Sequence, residues 1–136
     1  KAGNIFIVKG VAKLGDFSSL ARLLATTSSH SRFAYTPGWR APEQVYSDLR
    51  RRAKERGVEQ RIDVYQLGNL ILYMLTGETL DGEDALKKGK VEEVVGKVEH
   101  RELRELLAAM LNPDPLARIS SEEAVRRLIE IYHSVS

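Results

Sequence analysis

"TPGWRAPEQV", residues 36–45, places two prolines, a glycine, a tryptophan and a glutamate in ten positions where neither a regular helix nor a regular strand has use for them. Pro37 and Pro42 fix the backbone without needing amide partners. Gly38 permits close approach, and Trp39 can anchor the stretch on a core. What the segment touches depends on its neighbours, which are polar upstream and helical downstream.

Upstream, residues 18–38 form a polar stretch in which five Ser or Thr fall between 26 and 31. A loop of this length without structure of its own is usually functional or mobile. Before it, "NIFIV", "KG" and "VAKLGDF" read as two short strands joined by a tight turn at Gly10. A lone hairpin is marginal in water, so it must lie on a larger body.

That body is helical. Residues 42–56 read as one helix with Val45, Leu49 and Ala53 on one side, basic residues on the other and Gly57 at its end. Residues 60–76 are apolar on every side, the mark of a central buried helix, and Gly77 is the expected stop. Residues 78–100, acidic and glycine-spotted, fit one or two short helices. Leu103, Leu106, Leu107, Met110 and Leu111 trace an amphipathic helix that "NPDP" ends, and Ser120 with Glu123 opens a last one as a capping-box pair. The expected fold class is α+β and mainly helical: four to five helices carrying one N-terminal β-hairpin.

Composition agrees with one ordinary domain: 136 residues, 43% apolar, 29% charged and no Cys. A disulfide framework and thiolate metal sites are excluded. The longest strongly apolar stretch, residues 67–75, is far short of a membrane span, and a cytoplasmic location without membrane contact is expected. Residues 1–62 carry 12 Lys or Arg against 5 Asp or Glu, and residues 63–136 carry 9 against 14. The basic excess peaks at "RRRAKER", 50–56. Such a run meets phosphate or forms a solvated helix face; the second is commoner, and nucleic-acid binding is not expected. His30, His100 and His133 have no partners at metal-ligand spacing and read as surface residues. No nucleophile-elbow pattern supports a Ser/His/Asp triad.

One ordered series remains: "KAGN" before the first strand, "GDFS" after the second, "TPGWRAPE", "DVYQLG" at the start of the buried helix, and "NPDPLARIS". In this order and spacing it resembles the C-terminal lobe of a eukaryotic-type Ser/Thr protein kinase, beginning inside the catalytic loop. The resemblance covers essentially the whole chain. It implies a catalytic-loop end and hairpin over 1–15, an activation segment over 16–43 and a helical bundle over 44–136. Lys1 and Asn4 correspond to the last members of the catalytic loop, Asp16 to the metal-binding Asp, Phe17 to its packing aromatic, and Ala41, Pro42 and Glu43 to the APE motif. Lys1, Asn4 and Asp16 are thus the implied catalytic residues, with Asn4 and Asp16 as ligands of Mg²⁺, or Mn²⁺, bound with ATP. Thr36, Pro37, Gly38 and Trp39 become the shelf for the substrate residue next to the acceptor, and Thr36 argues for Ser/Thr acceptors. Glu43 is expected to be held by Arg118 in a buried bidentate ion pair, and Asp63 to organise the catalytic-loop backbone from below. Leu70 and Met74 match apolar positions of the adenine-side core. Thr26, Thr27, Ser28, Ser29 and Ser31 become candidate phosphorylation sites, with Arg22, Arg32 or Arg40 as local phosphate partners.

The match departs at Ser18, which stands where the family has the DFG glycine, and the basic stretch 46–61 is longer than the family's usual link. The family's catalytic base and its N-terminal lobe fall before Lys1. The expectation is therefore a fragment, inactive alone, of an ATP-dependent Ser/Thr protein kinase whose partners are a protein substrate and the N-terminal lobe. The alternative is a non-catalytic pseudokinase binding module. Self-association into a homodimer is a further expectation.

Overall fold

The computed structural model describes residues 36–135. The expected hairpin, with Lys1, Asn4, Asp16, Phe17 and the Ser/Thr cluster, lies outside the described residues.

From Thr36 the chain passes through a turn and a short extended stretch into α1 (Pro42–Val45) and α2 (Ser47–Glu55). These were expected as one helix. The chain breaks at Tyr46, which is extended at φ −110° and ψ 114°, donates its amide to the Pro42 carbonyl and reaches the Glu83 carbonyl with its hydroxyl at 3.4 Å. Val45 and Tyr46 lose rotamer freedom in a helix, so local propensity offers little resistance to that break. Ala53 is the buried residue of α2, while Arg50, Arg51, Lys54 and Arg56 face solvent. Arg51 lies 3.5 Å from Asp48, and Arg52 3.9 Å from Asp114. The basic run is a solvated face.

The central helix is α3 (Arg61–Thr76), which Gly77 ends in the left-handed conformation at φ 77°. It packs on α6 (Arg101–Met110) and α7 (Ser121–Val135). Gly68 makes the α3–α6 contact possible, because a Cβ there would stand 3.0 Å from the Met110 Cβ. The core joins Val64, Ile71 and Leu72 of α3, Leu103, Leu106, Leu107 and Met110 of α6, and Ala124, Leu128 and Ile131 of α7. The helix is not apolar all round: Asn69 and Gln66 are buried polar residues, and Tyr73 is 50% exposed. Leu70 and Met74 are half-buried.

Between α3 and α6 run two short helices, α4 (Gly82–Ala85) and α5 (Lys90–Val95). Asp81 caps α4 by accepting from the Glu83 amide at 3.2 Å. His100, read from sequence as a surface residue, is half-buried and caps α6 by accepting from the Leu103 amide. Residues 112–118 are held as a turn by the Asn112 and Asp114 side chains. At α7 the Ser120 hydroxyl accepts from the Glu123 amide, as the capping pattern requires, but the Glu123 carboxylate goes to Arg126. No helix among the described residues is long and apolar enough to cross a membrane.

Leu107, fully buried where α6 meets the core, is expected to cost about 2–5 kcal/mol when replaced by Ala. Leu86→Ala, at a side chain that is 46% exposed, should change stability by about 0.5 kcal/mol or less, and urea unfolding of the two variants checks the contrast.

Candidate functional site

The 36–43 segment lies across α3 and the loop leading into α4, and its backbone is tied down at Gly38 and Arg40. The Trp39 amide donates to the Thr36 carbonyl at 3.0 Å, closing a turn in which Gly38 takes φ +100°, where a side chain is strained. The Gly38 carbonyl accepts from Asn69 Nδ2 at 3.0 Å, and the Gly38 amide donates to Asp81 Oδ1 at 2.8 Å. The Arg40 amide reaches the same oxygen at 3.2 Å, and the Arg40 guanidinium embraces the carboxylate at 3.1 and 2.7 Å. The Gly82 amide donates to the Arg40 carbonyl at 2.7 Å, and a Cβ on Gly82 would stand 2.4 Å from the Ala41 carbonyl carbon. The Trp39 ring meets Tyr73 edge-on with centroids 5.5 Å apart. Thr36 and Pro37 are exposed on the outer side.

Asn69 works in both directions, since its Oδ1 also accepts from the Leu80 amide at 2.7 Å and its Nδ2 donates to the Leu80 carbonyl. The Tyr65 hydroxyl donates to that carbonyl at 2.5 Å. Burial pushes the Tyr65 phenol well above its ordinary range, against the opposing pull of Arg118, so it stays a neutral donor.

Beneath the shelf, Arg118 donates to both oxygens of Glu43, at 2.7 and 2.8 Å, and neither side chain touches water. Two further guanidinium protons go to the carbonyls of Asn112 and Arg61, at 2.9 and 2.8 Å. The guanidinium carbon stands 5.1 Å from the Tyr65 ring centre. Arg61 completes the frame by donating to the carbonyls of Pro115, Leu116 and Arg118. Among the described residues no buried side-chain nitrogen or oxygen lacks a hydrogen-bond partner, which is what makes a buried charge pair tolerable.

The structure therefore brings Glu43 to Arg118 and Trp39 to the outer side of α3. Arg40, which the sequence offers as a partner for a loop phosphate, is bound by Asp81, with Glu83 a further 3.6 Å contact. Asp63 is half-buried in the first turn of α3, and burial raises its carboxyl above the ordinary value. Asp81, Asn69, Tyr65 and Arg61 were not singled out from sequence. An Asp before Gly-Glu in an acidic stretch reads as a turn-former, and its partners lie 41 and 43 residues away. For Asp81, burial pulls the carboxyl upward, but Arg40 and the amides of Glu83, Gly38 and Arg40 outweigh it and hold it below the usual carboxylate range. No cluster of three His, Cys, Asp or Glu among the described residues is arranged to hold a metal ion.

Two measurements test this geometry. Arg118→Met is expected to cost about 3–5 kcal/mol in urea unfolding because it strands the Glu43 charge, and combining it with Glu43→Leu should cost clearly less than the sum of the single changes. Asp63 retains its proton to higher pH when folded than when unfolded, so its ionised form opposes folding above that raised value. Asp63→Asn should therefore raise the thermal midpoint of this chain at pH 7, and the gain should disappear as pH falls toward the ordinary aspartate value of about 3.9, read by melting curves across pH.

Residues 1–128 match the protein kinase domain family. Similar proteins include the serine/threonine-protein kinase/endoribonuclease IRE1a of Arabidopsis thaliana, 32% identical over 138 residues covering 92% of this chain and 15% of that protein. Serine/threonine-protein kinase CLA4 of Saccharomyces cerevisiae is 32% identical over 132 residues, 90% of this chain and 15% of its own length. A Wee1-like protein kinase of Oryza sativa subsp. japonica is 28% identical over 136 residues, 95% of this chain and 23% of its own length. The chain thus spans less than a quarter of the length of these relatives, and no solved structure matches it. With a proline-bounded shelf clamped by a buried Glu–Arg pair, and a family match running from Lys1 to Leu128, the chain belongs to the protein kinase domain family.

Proposed function

We propose that this chain supplies the substrate-holding lobe of a Ser/Thr protein kinase that transfers the γ-phosphate of ATP to a protein hydroxyl. The observation that carries the reading is the 36–43 shelf, with the backbone groups of Gly38 and Arg40 engaged by α3 and the loop before α4 and its outer edge at Thr36 and Pro37 exposed. Phosphoryl transfer asks the protein mainly for positioning and for compensation of phosphate charge. A shelf that cannot yield is suited to the first task, because a reacting hydroxyl misplaced by about 1 Å can lose about 100-fold in rate.

Charge compensation falls in the same proposal to Lys1, Asn4 and Asp16. Protein kinases generally use ATP with Mg²⁺. An amide oxygen at Asn4 and a carboxylate at Asp16 are the hard oxygen donors such an ion takes, and the bound ion would neutralise charge on the phosphate oxygens. Asp63, half-buried in the first turn of α3, would accept backbone amides of the catalytic loop. The serines and threonines at 26–31 would regulate the shelf by phosphorylation. Ser/Thr acceptors and a cytoplasmic setting belong to the same reading.

The test is transfer of labelled γ-phosphate from ATP with Mg²⁺ to a Ser-containing and a Tyr-containing protein substrate, by the full chain that carries this segment. Transfer to the Ser substrate that falls at least about 100-fold in Asp16→Ala is the expected outcome. Absence of transfer by a folded chain that still binds ATP would overturn the proposal in favour of a pseudokinase module.

A further inference from the structure

Asp81 lies outside the motifs quoted for the family resemblance, yet five hydrogen bonds end on its carboxylate. Oδ1 accepts the amides of Gly38 and Arg40 together with Arg40 Nε, and Oδ2 accepts the outer Arg40 nitrogen and the Glu83 amide. Two amides separated by one residue converge on a single oxygen only when the backbone curls around it, as in an anion-binding nest. The oxygen is therefore the centre about which the shelf bends, and the φ of +100° at Gly38 is part of that bend.

Apart from the cap on α4, the anchoring of the surrounding corner does not depend on this carboxylate. Leu80 is fixed by Asn69 and Tyr65, α4 is docked by the Gly82 amide on the Arg40 carbonyl, and α1 is held by Arg118. What Asp81 adds beyond that cap is directed at the shelf: the curvature of 38–40, and neutralisation of the one cationic side chain within residues 36–43. The Arg40 side chain is 23% exposed, so without Asp81 its charge would meet whatever lies on the shelf, with only Glu83 at 3.6 Å opposing it.

We infer that Asp81 is a positioning and specificity-determining residue for the protein substrate, shaping the shelf and cancelling the Arg40 charge so that the substrate residue following the acceptor is not selected for acidity. The inference rests on the kinase reading proposed above, for its substrate if not for its geometry.

The experiment compares, in the full chain, two peptides that differ only in the residue after the acceptor Ser, Asp in one and Leu in the other. Asp81→Asn retains an oxygen for the Gly38 amide but gives up the charge that neutralises Arg40. It should shift the ratio of kcat/KM toward the acidic peptide by about tenfold, with KM for ATP unchanged, and Arg40→Met in the same background should abolish the shift. Asp81→Ala should raise KM for both peptides and leave KM for ATP as it was. An unchanged peptide ratio in an active Asp81→Asn enzyme, or ATP and peptide parameters falling together, would overturn the inference. If the wild-type chain transfers no phosphate, it is the proposed function that fails. Amide exchange then decides the geometric claim: Asp81→Ala should accelerate exchange at Gly38 by about tenfold or more while Leu80 stays protected, and equal protection at Gly38 would refute it.

Discussion

Two opposite charges shut away from water hold this structure together. Glu43 belongs to a helix of four residues, far too short to persist alone, and Arg118 to a turn between two long helices, 75 residues further on. A stranded guanidinium or carboxylate at either place would be among the costliest defects a small domain can carry, so neither element can leave the other. The pair is affordable because the carbonyls of Asn112 and Arg61 take two more guanidinium protons and the Tyr65 ring lies against the cation. The position of the shelf relative to the helices follows from that single demand.

Around the pair the polar groups form two tiers with different duties. The lower tier, Arg61, Tyr65, Asn69 and Arg118, ties loops to the central helix through backbone carbonyls and depends little on sequence elsewhere in the shelf. The upper tier, Asp81 with Arg40 and the amides of 38 and 40, grips the shelf itself. Apolar packing supplies the bulk of the stability, as it does in any domain of this size, but it has no directional preference that would fix a loop to within hydrogen-bonding tolerance.

Which of these features could be read in advance depends on how local they are. The helices over 61–76, 101–110 and 121–135 were legible because their apolar spacing, the stops at Gly77 and "NPDP" and the start at Ser120 act within a few residues. The Glu43–Arg118 pair was legible only through the resemblance, since nothing in either neighbourhood announces a partner. The break at Tyr46 was hidden because it is decided by contacts with residues of α4 rather than by propensity. Asp81 and Asn69 were hidden for the same reason: a turn-forming acid and a polar residue inside an apolar helix carry no mark of the segment they bind, 31 to 43 residues distant. Residues that position a loop through tertiary hydrogen bonds are in general the ones a periodicity search passes over.

The contact at Gly82 has a mechanical side. Side chains absorb small displacements by rotating about their bonds, so most interfaces inside a protein behave as compliant joints. Between Gly82 and the Ala41–Pro42 peptide there is no side chain to rotate, only one main chain pressed on another. Such a joint transmits rather than cushions. A sub-ångström movement of the loop before α4, whatever its origin, is passed on to the proline-bounded edge with little cushioning, which makes the stiffness of this surface a property shared by two stretches of chain that are remote in sequence.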